Sequence, residues 1–246
     1  MRIGLGTFLE GDCFERMAAI EDGSVDMVLC DLPYGTTQNK WDSVLPLERL
    51  WAEYWRVCKP DAAVVLTAAQ PFTSQLVLSQ LQRFKQELVW CKNVASDFLN
   101  ANRRHMAKHE SVLIFARGRP PYNPQLSPGK AYTAKRYGND DTGDNYGQIA
   151  QRTDTVNDGH RKPTSVLHFD RQVGAHPTQK PVALFEYLIR TYTNQGGCVL
   201  DNTAGSGTTA EAAENAARRW VCIERDPDYY AKAVDRLLKH THWDIA

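Results

Sequence analysis

The chain has 246 residues, 42% hydrophobic and 24% charged, with 29 basic residues against 29 acidic ones. That suits one domain, or one domain with a sizeable insertion, and excludes a protein whose whole surface is a basic coat for nucleic acid. No apolar run approaches the roughly 20 residues of a bilayer span and the opening MRIGLGTFLEGD has no signal-peptide core, so the expectation is a cytoplasmic protein off the membrane.

RIGLGTFLEGD reads as a strand ending near Asp12, and CFERMAAIEDG as a short helix. VDMVLC, Val25 to Cys30, is a short buried strand that runs into DLPYG. There Pro33 stiffens the backbone and Gly35 permits a tight turn, so Asp31 and Tyr34 are presented from a rigid support. Such a turn either ends a strand and caps the next element, or holds a carboxylate and a phenol for use. LERLWAEYWRVCK places Leu47, Leu50, Trp51, Tyr54, Trp55 and Cys58 at helical spacing, closed by Lys59-Pro60. AAVVLTA is the next buried strand and PFTSQLVLSQLQRF a helix. ELVWCK and SVLIFAR are strands with no helix between them, free to pair antiparallel at an edge. Lys92, Arg103, Arg104 and Lys108 lie between them with few acids, either as phosphate contacts or as a solvated loop.

At about Arg117 the composition turns polar and irregular. Residues 117–172 carry nine Lys and Arg, Lys135 and Arg136 among them, against six Asp. This is either a surface insertion with a role or a partly disordered loop. The expected organisation is one unit built from 1–116 and 173–246, with 117–172 inserted.

Regular structure returns in HPTQKPVALFEYLIRTYT, a helix announced by two prolines. CVLD then reads as a strand, NTAGSGTT as a Gly-rich turn opening a helix, WVCIE as a strand, and the remainder as a helix with Tyr229, Tyr230, Ala233, Val234, Leu237 and Leu238 on one stripe. Gly205 and Gly207 would let the backbone approach a ligand beside a helix N-terminus. Glu224 ends the next strand 19 residues after Gly205, where a carboxylate can take ribose hydroxyls. Ala210 breaks G-x-G-x-x-G, and no Lys follows Gly207, so this is neither a full dinucleotide fingerprint nor a Walker loop. The turn is a plain helix start or an adenosine-binding loop, and Glu224 in the same βαβ unit favours the second. Strands alternating with helices imply a doubly wound, mostly parallel α/β sheet. The six cysteines are scattered without a C-x-x-C pair and read as buried free thiols; no metal site is expected.

DLPYG resembles the D-P-P-Y motif of amino-group DNA methyltransferases. DNTAGSGTT resembles their S-adenosylmethionine loop, usually D-P-F-x-G-S-G, and HPTQKP is similar to a motif just upstream of it. The catalytic motif first and the cofactor loop last is the order of the beta class, a circular permutation of the methyltransferase fold. The resemblance covers the chain outside 117–172. It implies a site-specific enzyme that methylates N6 of an adenine flipped out of double-stranded DNA, within restriction-modification or related DNA methylation. Methylation of cytosine N4, or a cofactor-dependent DNA-binding module without catalysis, are the alternatives; the cytosine motif more often begins with Ser, so Asp31 favours adenine. A homodimer is a possible assembly, since dimers occur in this class.

By resemblance, Asp31 and the Pro33 carbonyl accept from the target amino group and Tyr34 stacks on the base. Asp201, Ala204, Gly205, Ser206, Gly207 and Thr208 form the loop at the cofactor's methionine end. Glu224 takes its ribose, Asp12 its adenine amino group, and His176, Thr178 and Lys180 lie near its carboxylate. Lys92, Arg103, Arg104 and Lys108, with Lys135 and Arg136 in the insertion, contact DNA. Leu32 stands where the first proline is usual, and Asn202-Thr203 where Pro-Phe is usual. Losing the aromatic at 203 puts one packing contact to the cofactor in question.

Overall fold

The computed structural model describes residues 1–35, 42–134, 154–172 and 179–239. Lys135, Arg136, His176 and Thr178 therefore lie outside the described residues. The chain divides into two compact units, Met1–Asn123 with Ser165–Ala246, and Pro124–Thr164.

The larger unit begins with the hairpin β1 (Arg2–Ile3) and β2 (Gly6–Glu10), then α1 (Cys13–Met17) and β3 (Val25–Asp31). Next come α2 (Leu47–Val57), β4 (Cys58–Ala68), α3 (Phe72–Ser79), β5 (Phe84–Ser96) and β6 (Ala107–Phe115). In the smaller unit β7 (Ser127–Pro128) pairs with β10 (His160–Arg161), and β8 (Tyr132–Ala134) with β9 (Thr155–Asn157), both antiparallel. The chain then returns through β11 (Val166–His168), α4 (Val182–Tyr192), β12 (Cys198–Asp201), α5 (Thr208–Asn215), β13 (Arg219–Glu224) and α6 (Pro227–Leu238).

One sheet organises the larger unit, in the order β1-β2-β13-β12-β3-β4-β6-β5-β11. β2, β13, β12, β3 and β4 are parallel, and β6 is antiparallel to both β4 and β5, so β5 and β6 do pair antiparallel, but β11, parallel to β5, and not β5 is the edge strand. Alternate residues face opposite layers. Met27, Leu29, Ala63 and Val65 pack with α4, α5 and α6, whereas Val28, Cys30, Val64 and Leu66 pack with α1, α2 and α3. Both faces are covered, which is why these strands read as continuous apolar runs. Burying each such Val, Leu or Phe contributes about 1.5–3 kcal/mol.

α2 buries Leu50, Trp51 and Tyr54, as its spacing predicts, and Val57, which the spacing did not single out; Leu47 and Trp55 are half-buried. It stops at Val57, before Lys59-Pro60, because Cys58 is already extended. Val25 pairs with Cys58 but Met27 with Ala63, so residues 59–62 form a bulge that accommodates Pro60, which has no N–H for the ladder. The α6 stripe is narrower than expected: Ala233 and Leu237 are buried, while Tyr230, Val234 and Leu238 are half-buried. Gly6 is required sterically, since a Cβ there would lie 2.1 Å from the Trp220 ring.

The insertion is smaller than 117–172. β11 lies in the main sheet beside β5, with Leu167 buried, and the Asn123 N–H donates to the Thr191 carbonyl at 2.8 Å. The flanks were unreadable because a three-residue strand has no detectable period within a polar stretch. Inside the smaller unit, Arg161 lies 5.1 Å over the Tyr132 ring and donates to Asn157 Oδ1 at 2.6 Å. Among the described residues no helix is long and apolar enough to cross a membrane.

Candidate active site

Register decides which side chains meet. Asp31 pairs with Thr67, Leu200 with Val28, and Glu224 with Glu10. The carboxyl ends of five parallel strands therefore share one edge, bringing Asp12, Glu224, Asp201, Asp31 and Thr67 into a row. β3 and β12 are neighbours, yet the helices that follow them, α2 and α5, lie on opposite faces. That is the switch point at which doubly wound sheets open a crevice. Here the crevice is a cavity of about 750 Å³ lined by Asp12, Asp31, Tyr34, Gly205 and Glu224 among others.

Asp31 sits in a dense donor set. Its Oδ1 accepts from the Tyr34 hydroxyl at 2.7 Å and the Thr67 hydroxyl at 2.5 Å, and its Oδ2 from Lys180 Nζ at 2.6 Å. A carboxylate offers about four lone-pair directions, so about one remains, on Oδ2, for a further donor. Burial, with the charges of Asp31 and Glu110, pushes the Tyr34 phenol well up, so it stays protonated and donates. The Tyr34 ring stacks on Phe72 at 5.5 Å, which fixes its plane at the cavity wall. Leu32 lines the cavity too and is buried with α2 in the core, which accounts for a leucine at that position.

The Gly-rich loop is held from beneath. Asp201 Oδ1 accepts from the Thr203 N–H at 3.0 Å and Oδ2 from the Thr209 hydroxyl at 2.5 Å. Burial pushes the Asp201 carboxyl up to about 7, against the bonds from Thr209 and Thr203 and with the charge of Asp31 adding to the rise. Glu224 Oε2 accepts from the Gly205 N–H and Oε1 from the Asp226 N–H, both at 2.8 Å. Its carboxyl is raised by burial. Asp12 caps α1, its Oδ1 accepting from the Phe14 N–H at 2.9 Å, while also lining the cavity. Ala204, Gly205, Ser206 and Thr208 line the cavity too. Gly207 does not: at φ +77° it turns the chain into α5, and a Cβ there would lie 3.4 Å from that of Ala233. It shapes the loop without reaching the cavity, contrary to expectation.

The two departures from the family pattern have their own partners. Asn202 Oδ1 accepts from the Tyr54 hydroxyl at 2.6 Å and the Cys30 thiol at 2.9 Å. The Thr203 hydroxyl donates to the Asp31 carbonyl at 3.2 Å.

Two lysines carry pairings that the sequence did not announce. Lys180 lines the cavity, buried and paired with Asp31 at 2.6 Å and Glu110 at 3.3 Å. Lys92 is not a surface cation for phosphates; it is buried and paired with Glu110 at 3.2 Å. Both long side chains satisfy carboxylates inside the wall instead of solvent. Arg103 and Arg104 are exposed on the β5–β6 connection and Lys108 is exposed at the start of β6, at the same sheet edge as Asp31, with Arg104 paired to Asp97 at 2.7 Å. Thr67 and Glu110 were missed. Thr67 was findable as the carboxyl-terminal end of the strand beside Asp31; Glu110 carries no sequence signal.

Among the described residues Gln179 Oε1 and Asn202 Nδ2 are buried without a hydrogen-bond partner, whereas Glu110 Oε2 meets Lys180 Nζ at 3.3 Å. All three residues line this one cavity. Leaving a buried polar group unsatisfied costs about 1–3 kcal/mol, so Gln179 and Asn202 mark where a polar ligand belongs. The volume lies within the roughly 300–1,000 Å³ of small-molecule sites.

A family model described as N6/N4 DNA methylase matches residues 25–235. The chain is similar to the DNA adenine methyltransferase YhdJ of Escherichia coli K12, 28% identical over 257 residues, covering 96% of this chain and 84% of that protein. It also superimposes on the structure of the M1.HpyAVI–SAM complex, with a TM-score of 0.64 and 22% identity over 94% of this chain and 99% of that one. For the cytosine-N4-specific PvuII DNA methyltransferase the TM-score is 0.69, at 17% identity over 98% and 88%.

Proposed function

The chain belongs to the N6/N4 DNA methylase family, and on that premise we propose that it transfers the methyl group of S-adenosylmethionine to N6 of an adenine flipped out of double-stranded DNA. The observation that carries the reading is the Asp31 carboxylate with about one acceptor direction left, in the same cavity as the Gly205 loop and Glu224.

The amino nitrogen of adenine is a weak nucleophile because its lone pair is delocalised into the ring. Asp31 accepts one of its hydrogens and the Pro33 carbonyl the other, which localises the pair and aims it. S-adenosylmethionine supplies a methyl group already activated as a sulfonium. What remains for the protein is orientation and a dry, polar pocket. Tyr34, held flat by Phe72, offers the face on which the flipped base rests. The Cys30 and Cys222 thiols, raised well up by burial, are not poised as nucleophiles, in keeping with attack by nitrogen.

The cavity fits the cofactor. Glu224 can take ribose hydroxyls on its remaining lone pairs, Asp12 lies at the end for the adenine amino group, and Gly205 and Ser206 line the methionine end. Duplex binding falls to Arg103, Arg104 and Lys108, with Pro124–Thr164 proposed as the region that reads base edges.

Adenine is preferred over cytosine because the motif begins with Asp31 and the similar YhdJ is a DNA adenine methyltransferase. Incubating the protein with duplex DNA and methyl-labelled S-adenosylmethionine, then digesting to nucleosides, tests this. Label in N6-methyl-2′-deoxyadenosine is the expected result; label in N4-methyl-2′-deoxycytidine would reassign the base, and no label in DNA would reject the reading.

A further inference from the structure

Four charged side chains run in a line through the cavity wall: Asp31, Lys180, Glu110 and Lys92. The links are 2.6 Å from Lys180 to Asp31, 3.3 Å from Lys180 to Glu110, and 3.2 Å from Lys92 to Glu110. Lys180 and Lys92 are buried. A buried lysine is held only when its partners offset lost hydration. Lys180 meets that condition: burial alone would lower its pKa, but Asp31 and Glu110 together raise it. It is therefore a permanent ammonium and cannot serve as a base.

We propose that Lys180 is a positioning residue for methyl transfer, keeping Asp31 turned with its free acceptor direction toward the target amino group, and that Glu110 anchors Lys180 as its second counter-ion. This rests on the methyltransferase reading for the identity of the amino group. The need is geometric: the amino hydrogen must meet a lone pair of Asp31 that is already aimed at it. Of the donors on Asp31 among the described residues, Tyr34 and Thr67 are neutral hydroxyls, so Lys180 supplies the only formal positive charge touching it. Glu110 on β6 and Asp201 on β12 are the acidic groups facing this pair. Glu110 also explains Lys180's placement, with Lys92 balancing its charge on β5.

The test uses three variants, Lys180→Met, Lys180→Arg and Glu110→Gln, with two readouts. One is the single-turnover rate of methyl transfer at saturating cofactor and DNA. The other is S-adenosylmethionine affinity by calorimetry. Lys180→Met should slow the rate at least about tenfold, Glu110→Gln severalfold, and Lys180→Arg, which keeps a charged donor beside Asp31, should stay within about threefold of wild type. Cofactor affinity should stay within about twofold in all three; a tenfold change would be about 1.4 kcal/mol. An unchanged rate in Lys180→Met overturns the proposal, as does a rate that falls as far in Lys180→Arg as in Lys180→Met. So does a tenfold loss of cofactor affinity in Lys180→Met with the rate at saturation unchanged, which would return Lys180 to the cofactor carboxylate. If Lys180→Met does not fold, the slowed rate in Glu110→Gln and its retention in Lys180→Arg carry the decision. Wild-type protein that fails to methylate DNA would reject the functional reading separately.

Discussion

The Thr203 hydroxyl donates to the main-chain carbonyl of Asp31 at 3.2 Å, joining two turns 172 residues apart in the chain. One turn presents the acceptor for the target base and the other forms the cofactor loop. Methyl transfer requires the nitrogen and the methyl group in line within a few tenths of an ångström, so their relative placement matters more than either alone.

Thr203→Val removes that bond while keeping the side-chain volume. The loss in stability should be about 0.5–1.5 kcal/mol, the net worth of one hydrogen bond. Turnover should fall severalfold with little change in cofactor affinity. Steady-state kinetics and thermal unfolding measure both, and unchanged turnover would show that the two turns are aligned by the sheet alone.

Asp31→Ala should lower turnover at least about a hundredfold, the scale of removing a preorganised polar group from a reacting centre. Cofactor binding should survive, because the Gly205 loop is tied to Glu224 and Asp201 and not to the Asp31 carboxylate. Single-turnover rates beside calorimetry give both values. Near-normal turnover would remove Asp31 from the chemistry.

Glu224→Ala should weaken S-adenosylmethionine binding by about 1.5–3 kcal/mol, the scale of a hydrogen bond to a charged group. The structure adds a second route to that loss, since the same carboxylate holds the Gly205 N–H at 2.8 Å. Glu224→Gln keeps one oxygen for that N–H and should lose less. Calorimetry showing equal affinity in all three proteins would place the ribose elsewhere.

The sequence made the skeleton legible because its signals were local. VDMVLC, AAVVLTA, CVLD and WVCIE are apolar runs punctuated by Asp, Gly or Pro, and α2 carries its period openly. Asp31, Gly205 and Glu224, which line one cavity, stood out because a carboxylate or glycine at or just past the end of a buried strand is conspicuous. What stayed hidden depends on packing between distant segments. Nothing near Lys180 or Lys92 announces that both turn inward onto Glu110, because the Asp31–Lys180 pair spans 149 residues. Gly207 reads as a ligand-loop glycine, yet its neighbours are Ala233 and Leu237 on α6. Leu167 could not be assigned to the sheet from a three-residue run.

Burial of Asp201 makes stability depend on pH in an unusual direction. Its carboxyl is raised from 3.8 to about 7 in the folded chain, chiefly by burial. Between those values the folded state holds a proton that the unfolded state has released. Stability therefore falls as pH rises through that window and levels off above it, by at most about 1.4 kcal/mol per pH unit. Asp201→Asn keeps an oxygen for the Thr203 N–H and carries no charge, so its denaturant stability should lose this slope. Relative to wild type, the variant should gain from pH 5 to 8. Parallel curves would mean that Asp201 is ionised throughout.

The insertion can be separated from the sheet only along the boundary that the structure draws. Replacing 124–164 by a Gly/Ser linker removes the smaller unit and leaves β11, Asn123 and the cavity-lining residues in place. That variant should fold and bind S-adenosylmethionine with near-native affinity. It should lose site-specific methylation, because the polar and basic groups proposed to read base edges are gone. Weak, salt-sensitive DNA binding through Arg103, Arg104 and Lys108 should remain. Replacing 117–172 should instead destabilise the protein, since it strips Leu167 from the core and the Phe169 carbonyl from Trp90 Nε1, which donates to it at 2.8 Å. Leu167→Ala alone should cost about 2–5 kcal/mol, as for other buried leucines. Denaturant unfolding of the two deletions and sequencing of the methylated DNA separate these effects. If the 124–164 variant still methylates the same sites at the same rate, recognition lies outside the insertion, and the exposed β5–β6 connection becomes the place to look.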